Sequence, residues 1–227
     1  MPPPMHPAGF ALPPLLAVET FYALSIVVLC LVIYWRTHEL YALSSYKGIA
    51  YFRNSFLFFA IAYLFRFLSI SFSISLHHLR TQSPLVLIGF FVFVYASTMA
   101  LFCLIQSALW KKHQSDSLMI NNTLHLTALL IALIAVFSRS PLLFLVTQGA
   151  LLLFAAGVSV RLLRSTKKIR FSGFSLAYLL LFLFWILHLI ILLLPTFLLA
   201  LKVILYAISI TLFLVIIYAV LRRTRRR

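Results

Sequence analysis

The chain has 227 residues, of which 64% are hydrophobic and only 10% charged, and its mean hydropathy is +1.11. That composition excludes a soluble globular domain. Three acidic residues, Glu19, Glu39 and Asp116, leave little for acid/base catalysis, and the formal net charge of +16 raises the question of nucleic acid as a partner.

Residues 1–13 include five prolines and lack the basic stretch that opens a signal peptide, so the apolar run after them is expected to stay as a first helix, 15–35, with Glu19 inside it. The second run, 52–75, starts at Arg53-Asn54 and carries Arg66. The third, 84–110, opens on Pro84 and ends before Lys111-Lys112. The fourth, 121–138, is the shortest. The fifth, 141–163, contains Gln148, with Gly149 and Gly157 as flexible points. The sixth, 174–194, contains Trp185 and His188, and the seventh, 196–221, contains Lys202 and Tyr206. Spanning a hydrocarbon core takes roughly 20 apolar residues. The expected fold is therefore an all-α polytopic membrane protein: one domain over 1–227 with seven transmembrane helices.

Lysine and arginine in the loops predict the orientation. Fifteen fall on one side: Arg36, Lys47, Arg53, Lys111, Lys112, the segment Arg161–Arg170, and the tail Arg222–Arg227. Only Arg80 and Arg139 fall on the other, which places the N-terminus outside and the C-terminus in the cytoplasm. Short juxtamembrane clusters of this kind match topology signals and anionic headgroups, so nucleic acid is not expected as a partner. The Asn121-Asn122-Thr123 sequon falls on the cytoplasmic side and is discounted. Cys30 and Cys103 lie inside apolar runs and read as small core residues, with no metal ligation or disulfide implied.

An internal repeat is visible without gaps. "PLVLIGFFVFVYASTMALFCLIQSALWKK" from Pro84 and "PTFLLALKVILYAISITLFLVIIYAVLRR" from Pro195 share the leading proline, Tyr95/Tyr206, Ala96/Ala207, Leu101/Leu212, Phe102/Phe213 and a paired basic end. "PLLAVETFYAL" from Pro14 and "PLLFLVTQGAL" from Pro141 share Pro-Leu-Leu, Thr20/Thr147 and Ala-Leu. The expected arrangement is 3+1+3: repeat 1 over about 14–112, a linker helix over about 121–138 and repeat 2 over about 141–223.

Length, topology and this pattern resemble the broad set of seven-helix membrane proteins that includes SWEET-type sugar transporters, microbial rhodopsins and seven-helix sensors. The stretch "HELYALSSYKGIAYFRNSFLFFAIAYLFR" is similar to prokaryotic seven-helix proteins of sensor type. The chain departs from two of these families. Pro14 and Pro141 are followed by Leu where SWEET-type transporters carry Pro-Gln, and the third run has no acid to act as a rhodopsin counter-ion for Lys202.

The polar residues inside the runs carry the functional signal. At about 1.5 Å per residue, Glu19 lies roughly 8 Å below Pro14, Gln148 and Lys202 roughly 10 Å below Pro141 and Pro195, and His188 and Arg66 roughly 10–13 Å from the outer end. Five helices would thus bring a polar group to one outer layer, where charges are expensive unless they face a cavity or a partner. Ser55, Phe59, Ala62, Tyr63, Arg66 and Ser73 share one helical face, as do Lys202, Tyr206 and Ser209. Glu19 and Lys202 are expected to pair. One acid against Arg66 and Lys202 leaves an outward-facing pocket net positive, more so with His188 protonated. A small anionic or amphiphilic ligand would complete it, with Trp185, Tyr63 and Tyr206 around its apolar body.

No cofactor is expected. His77-His78 lack a third ligand, and no nucleophile with a base and an orienting acid is visible, so enzyme activity is not expected. His125 and Gln106 are expected to hydrogen-bond locally. The leading expectation is a receptor-like or sensor protein of the cell membrane, signalling through a separate membrane or cytoplasmic partner. The alternatives are a small secondary transporter using the same pocket and a structural subunit of a membrane complex.

Overall fold

The computed structural model describes residues 14–75, 84–109, 117–138, 141–165, 172–194 and 199–224. They form seven helices: α1 (Pro14–Ser44), α2 (Lys47–Ser75), α3 (Pro84–Leu109), α4 (Ser117–Ser138), α5 (Pro141–Ser165), α6 (Ser172–Leu193) and α7 (Leu199–Thr224). Five of them, α1, α2, α3, α4 and α7, are long and apolar enough to cross a membrane. Helices α5 and α6 contain the shorter apolar stretches Val146–Val158 and Leu179–His188.

Neighbouring helices pack in the order α1, α2, α3, α5, α6, α7, and α7 returns to α1. The helices thus close a six-membered ring, with α4 outside it against α3 and α5. On α1 the buried residues Tyr22, Ile26, Cys30, Ile33, Thr37 and Leu40 recur every three or four positions, as one helical face requires. The opposite face is equally apolar: Phe21, Leu24, Val28, Leu31 and Trp35 are exposed. Lipid in place of water removes the pressure for a polar outer face. Helix α4 meets the ring through Ala128, Ala132 and Ala135, all buried, a small-residue stripe that allows close approach to α3.

The α2–α3 pair is fixed at both ends. Ser107 Oγ donates to the Gly48 carbonyl at 2.6 Å, and Gly89 lies against Ser69 so closely that a Cβ there would collide with the Ser69 hydroxyl. Between these points α2 presents Phe52, Phe56 and Phe59, stacked edge to face with ring centroids 5.0 and 6.2 Å apart. Phe213 of α7 and Trp185 of α6 reach the same column, so α2 touches the far wall of the ring.

Helix α1 continues past the expected 35 to Ser44, with an Arg36–Glu39 ion pair one turn apart at 3.5 Å and Thr37 donating to the Ile33 carbonyl at 2.7 Å. On α2, Arg53 lies over the rings of Tyr34 and Tyr41 at 5.3 and 5.4 Å. It also donates to Asn54 Oδ1 at 3.3 Å. The boundary arginine expected to set topology therefore also clamps α1 onto α2. The hairpin turns at Ser45, whose φ of 48° is left-handed. The Tyr46 ring folds over Gly48, where only a hydrogen fits, and burial pushes the Tyr46 phenol above its ordinary range.

His77, His78, Arg80, Lys111, Lys112 and the Arg225–Arg227 tail lie outside the described residues.

Candidate functional site

The polar side chains expected at one level gather toward the end of the bundle where α1, α3, α5 and α7 begin and α2 and α6 finish. They form two separate groups.

The larger group joins α1, α2, α6 and α7. His188 on α6 is buried. Its Nε2 meets Arg66 Nη1 of α2, and its Nδ1 meets the Tyr63 hydroxyl at 3.4 Å. Arginine has only donors, so Nε2 must accept, the ring is neutral in this arrangement, and its proton sits on Nδ1, facing Tyr63. This corrects the expectation that a protonated His188 adds to the positive charge. An imidazolium would present a proton to the guanidinium.

Around this pair the aromatic rings close on one another. Tyr22 of α1 stacks on Tyr206 of α7 with centroids 4.2 Å apart, meets Tyr63 edge-on at 6.0 Å and lies parallel to His188 at 6.5 Å. Trp185 stands perpendicular to His188 at 6.1 Å, and Phe184 stacks on it from the same helix at 6.2 Å. Tyr63, Trp185 and Tyr206 are buried, and Arg66 and Glu19 are half-buried. The field of Arg66 falls on Tyr22, Tyr63, Tyr206 and His188 together.

Glu19 does not pair with Lys202. Its Oε1 accepts a hydrogen bond from the Tyr206 hydroxyl at 3.3 Å, and no described basic side chain comes within 4.0 Å of it. Tyr206, one turn beyond Lys202 on α7, is the residue that reaches Glu19. Lys202 is buried, and among the described residues it makes no hydrogen bond or ion pair.

Gln148 forms the second group. It is fully buried on α5 and turns to α3, where its Nε2 donates to Thr98 Oγ1 at 2.9 Å and to Ser97 Oγ at 3.3 Å. Those hydroxyls donate in turn to the Val94 carbonyl at 2.8 and 2.9 Å. Gln148 therefore does not join Arg66 and His188.

The sequence reading missed Tyr22, Ser97 and Thr98. Tyr22 follows Glu19 by three residues and shares its face, and Ser97-Thr98 is an adjacent polar pair in the middle of an apolar helix, so both left a readable signal. His125 bonds Tyr95 of α3 through Nδ1 at 2.7 Å, a contact between helices where a local one was expected.

Among the described residues, three buried polar side-chain atoms lack a hydrogen bond: the Tyr22 hydroxyl, Trp185 Nε1 and Gln148 Oε1. The Tyr22 hydroxyl lies beside Tyr63 and Ser209 without completing a bond to either. Trp185 also walls a cavity of about 20 Å³ between α3, α5 and α6, whose other walls are Leu101, Leu104, Leu152, Ala155, Ala156, Leu181 and Phe182. Among the described residues no three of His, Cys, Asp and Glu come together as metal ligands would.

A ring of apolar helices enclosing charged and hydrogen-bonding groups defines an integral membrane helical bundle with a polar interior. The chain is 35% identical over 199 residues to an uncharacterised protein of Archaeoglobus fulgidus, a match that covers 83% of this chain and 85% of the relative. It belongs to the same family as that archaeal protein. No family model and no solved structure matches the chain.

Proposed function

We propose that the protein is a receptor-like membrane sensor that binds a small anionic or amphiphilic ligand at the Arg66–His188 group. One observation carries the reading: the Arg66 guanidinium meets a neutral imidazole in place of a carboxylate, while the Tyr22 hydroxyl and the Trp185 indole N–H of the same aromatic cluster are buried without partners. A half-buried cation beside unspent hydrogen-bonding groups is an incomplete anion site, because each unsatisfied group costs about 1–3 kcal/mol that a ligand oxygen recovers. Glu19 accepts from Tyr206 and makes no ion pair with Arg66. Thermal-shift screening of anionic metabolites against the purified protein tests this. Stabilisation by an anion that disappears in Arg66→Gln supports the site, and an unchanged response in that variant refutes it.

In this reading all seven helices cross the membrane, with the N-terminus outside and the C-terminus in the cytoplasm. Helices α5 and α6, at 25 and 22 residues, match the others in length, and the lysine and arginine asymmetry favours that orientation. The basic cytoplasmic segments would contact anionic headgroups or a signalling partner, and no catalytic role is assigned.

A secondary transporter is the second reading, favoured by the order of the helices. Exchanging α1, α2, α3 for α5, α6, α7 maps every neighbour in the ring onto another neighbour, and α4 stays outside, as a 3+1+3 repeat related by a two-fold axis requires. The polar contacts lie where the two halves would rock: Arg66–His188, Tyr206–Glu19 and Gln148–Thr98 each join α1–α3 to α5–α7. Counterflow of a labelled anion in proteoliposomes, lost in Arg66→Gln, would select the transporter, and binding without flux the sensor.

A further inference from the structure

We infer that the anion binds together with a proton: when an oxyanion draws Arg66 away from His188, the freed Nε2 takes up a proton and the imidazolium becomes a second donor to the ligand. The inference rests on the anion site proposed above and names how that site is coupled to pH.

The hydrogen-bonding inventory defines the two states. With Arg66 on Nε2, the imidazole lone pair is engaged and the ring carries one proton, at Nδ1 toward Tyr63. An oxyanion at Arg66 offers acceptors only, so Nε2 and a ligand oxygen would meet lone pair to lone pair. A proton from the medium, added at Nε2, removes that clash. Nδ1 keeps its proton toward the Tyr63 hydroxyl, Arg66 keeps its charge, and one proton is taken up for each anion bound. The neutral alternative is harder to reach, because the ring must move its proton from Nδ1 to Nε2 while Tyr63 turns from acceptor to donor.

The surroundings of His188 favour the charged ring once an anion is present. Four aromatic rings enclose it, with centroids at 5.7 Å for Tyr63, 6.1 Å for Trp185, 6.2 Å for Phe184 and 6.5 Å for Tyr22. Tyr22 and Phe184 lie 15° from parallel to the imidazole. Aromatic faces attract a cation within roughly 6 Å, so this enclosure suits an imidazolium. A bond from a charged donor to an oxyanion is also about twice as strong as one from a neutral donor. Without the anion, a second cation beside Arg66 has no described carboxylate within ion-pair distance to balance it.

Few other groups near the ring can gain the proton. Helix α2 brings Arg66 and Tyr63, α7 brings Tyr206 and Lys202, and α1 brings Tyr22 and Glu19. Helix α5, which also packs on α6, has titratable residues only at its other end, at Arg161 and Arg164. Arginine and lysine have donors only, and the tyrosines already carry their proton. Glu19, which accepts from Tyr206, is the one rival acceptor.

The test is calorimetric titration of the full-length protein in nanodiscs with benzoate, which stays ionised across the range used. Repeating the titration in buffers of different ionisation enthalpy counts the protons. An uptake of about one proton per benzoate is expected, with Kd rising about tenfold per pH unit between about pH 6 and about pH 8. His188→Gln, whose amide can donate to a ligand oxygen, is expected to lose both the uptake and the slope, and Glu19→Gln to keep both. Benzoate binding that Arg66→Gln abolishes, but that shows no uptake and a flat Kd in the wild-type protein, overturns the proton coupling and leaves the anion site standing. Because this readout needs only wild-type protein and a binding control, it does not depend on His188→Gln folding. Uptake that persists in His188→Gln and disappears in Glu19→Gln moves the proton to Glu19 and overturns the assignment. If benzoate does not bind, or binds unchanged in Arg66→Gln, both proposals fall.

Discussion

Replacing Gln148 with leucine separates a structural amide from a ligand-binding one. The side chain is fully buried, its Nε2 donates at 2.9 and 3.3 Å to Thr98 and Ser97, and its Oε1 has no partner. Gln148→Leu keeps the volume close to native and removes both bonds. Hydrogen bonds between membrane helices average about 0.6 kcal/mol, with about 1.7 as an upper value, so the loss is about 1–2 kcal/mol. Neither hydroxyl is stranded, because Ser97 and Thr98 already donate to the Val94 carbonyl. The substitution also removes the orphan carbonyl oxygen, which returns about 1–3 kcal/mol. The expected outcome therefore lies between about 1 kcal/mol of destabilisation and about 2 kcal/mol of stabilisation. Equilibrium unfolding in mixed micelles of a mild and a denaturing detergent, followed by far-ultraviolet circular dichroism, measures it. Destabilisation beyond about 2 kcal/mol would show that Oε1 is engaged in the native protein and refute the accounting. Because Gln148 lies apart from Arg66, anion binding is expected to be unchanged in the same variant.

Three other substitutions address different contacts. Tyr206→Phe keeps the stack on Tyr22 but removes the hydroxyl that donates to Glu19. It is expected to cost about 1.5–3 kcal/mol, with a double-mutant cycle against Glu19→Gln returning most of that as coupling, whereas Lys202→Met shows no coupling to Glu19. Ser45→Gly releases the left-handed backbone at the α1–α2 turn and is expected to stabilise by about 1 kcal/mol in the same unfolding assay. Gly89→Leu drives a side chain into Ser69 across the α2–α3 contact. It is expected to cost about 3 kcal/mol or more and to be partly rescued by Ser69→Ala, read as melting temperature in detergent.

The helices were legible because a bilayer demands long uninterrupted apolar runs, and of the seven described C-terminal ends all but that of α1 fall within a few residues of the expected ones. The nine further residues of α1 were not. Arg36, His38 and Glu39 end the apolar run, but the helix continues because Thr37 and Leu40 stay on the buried face and Arg53 holds Tyr41 from α2. The grouping of the site was not legible. Sequence places Gln148, Arg66 and His188 at similar heights, but when both faces of a helix are apolar, nothing in the pattern says which neighbour a polar residue meets. Gln148 therefore turned to α3 without a sequence-level warning beyond Ser97-Thr98.

In the proposed sensor or transporter, the division of labour among the contacts would let the interior move. Within α1–α3 the helices are held by features that have only one arrangement: glycine against serine at Gly89, a hydroxyl on the Gly48 carbonyl, and Arg53 between two tyrosines. Between α1–α3 and α5–α7 the contacts at His188, Glu19 and Gln148 use groups that accept other partners, namely water, an ion or a ligand oxygen, at small net cost. A ligand at Arg66 would compete directly with His188 and so loosen α2 from α6 without disturbing α2 against α3. The differential contact needed to shift a two-state equilibrium thus falls on the boundary between the two sets of helices. A sensor that signals by a change at its surface and a transporter that exchanges access would use this same boundary, and they differ in whether its opening on one side reaches the other.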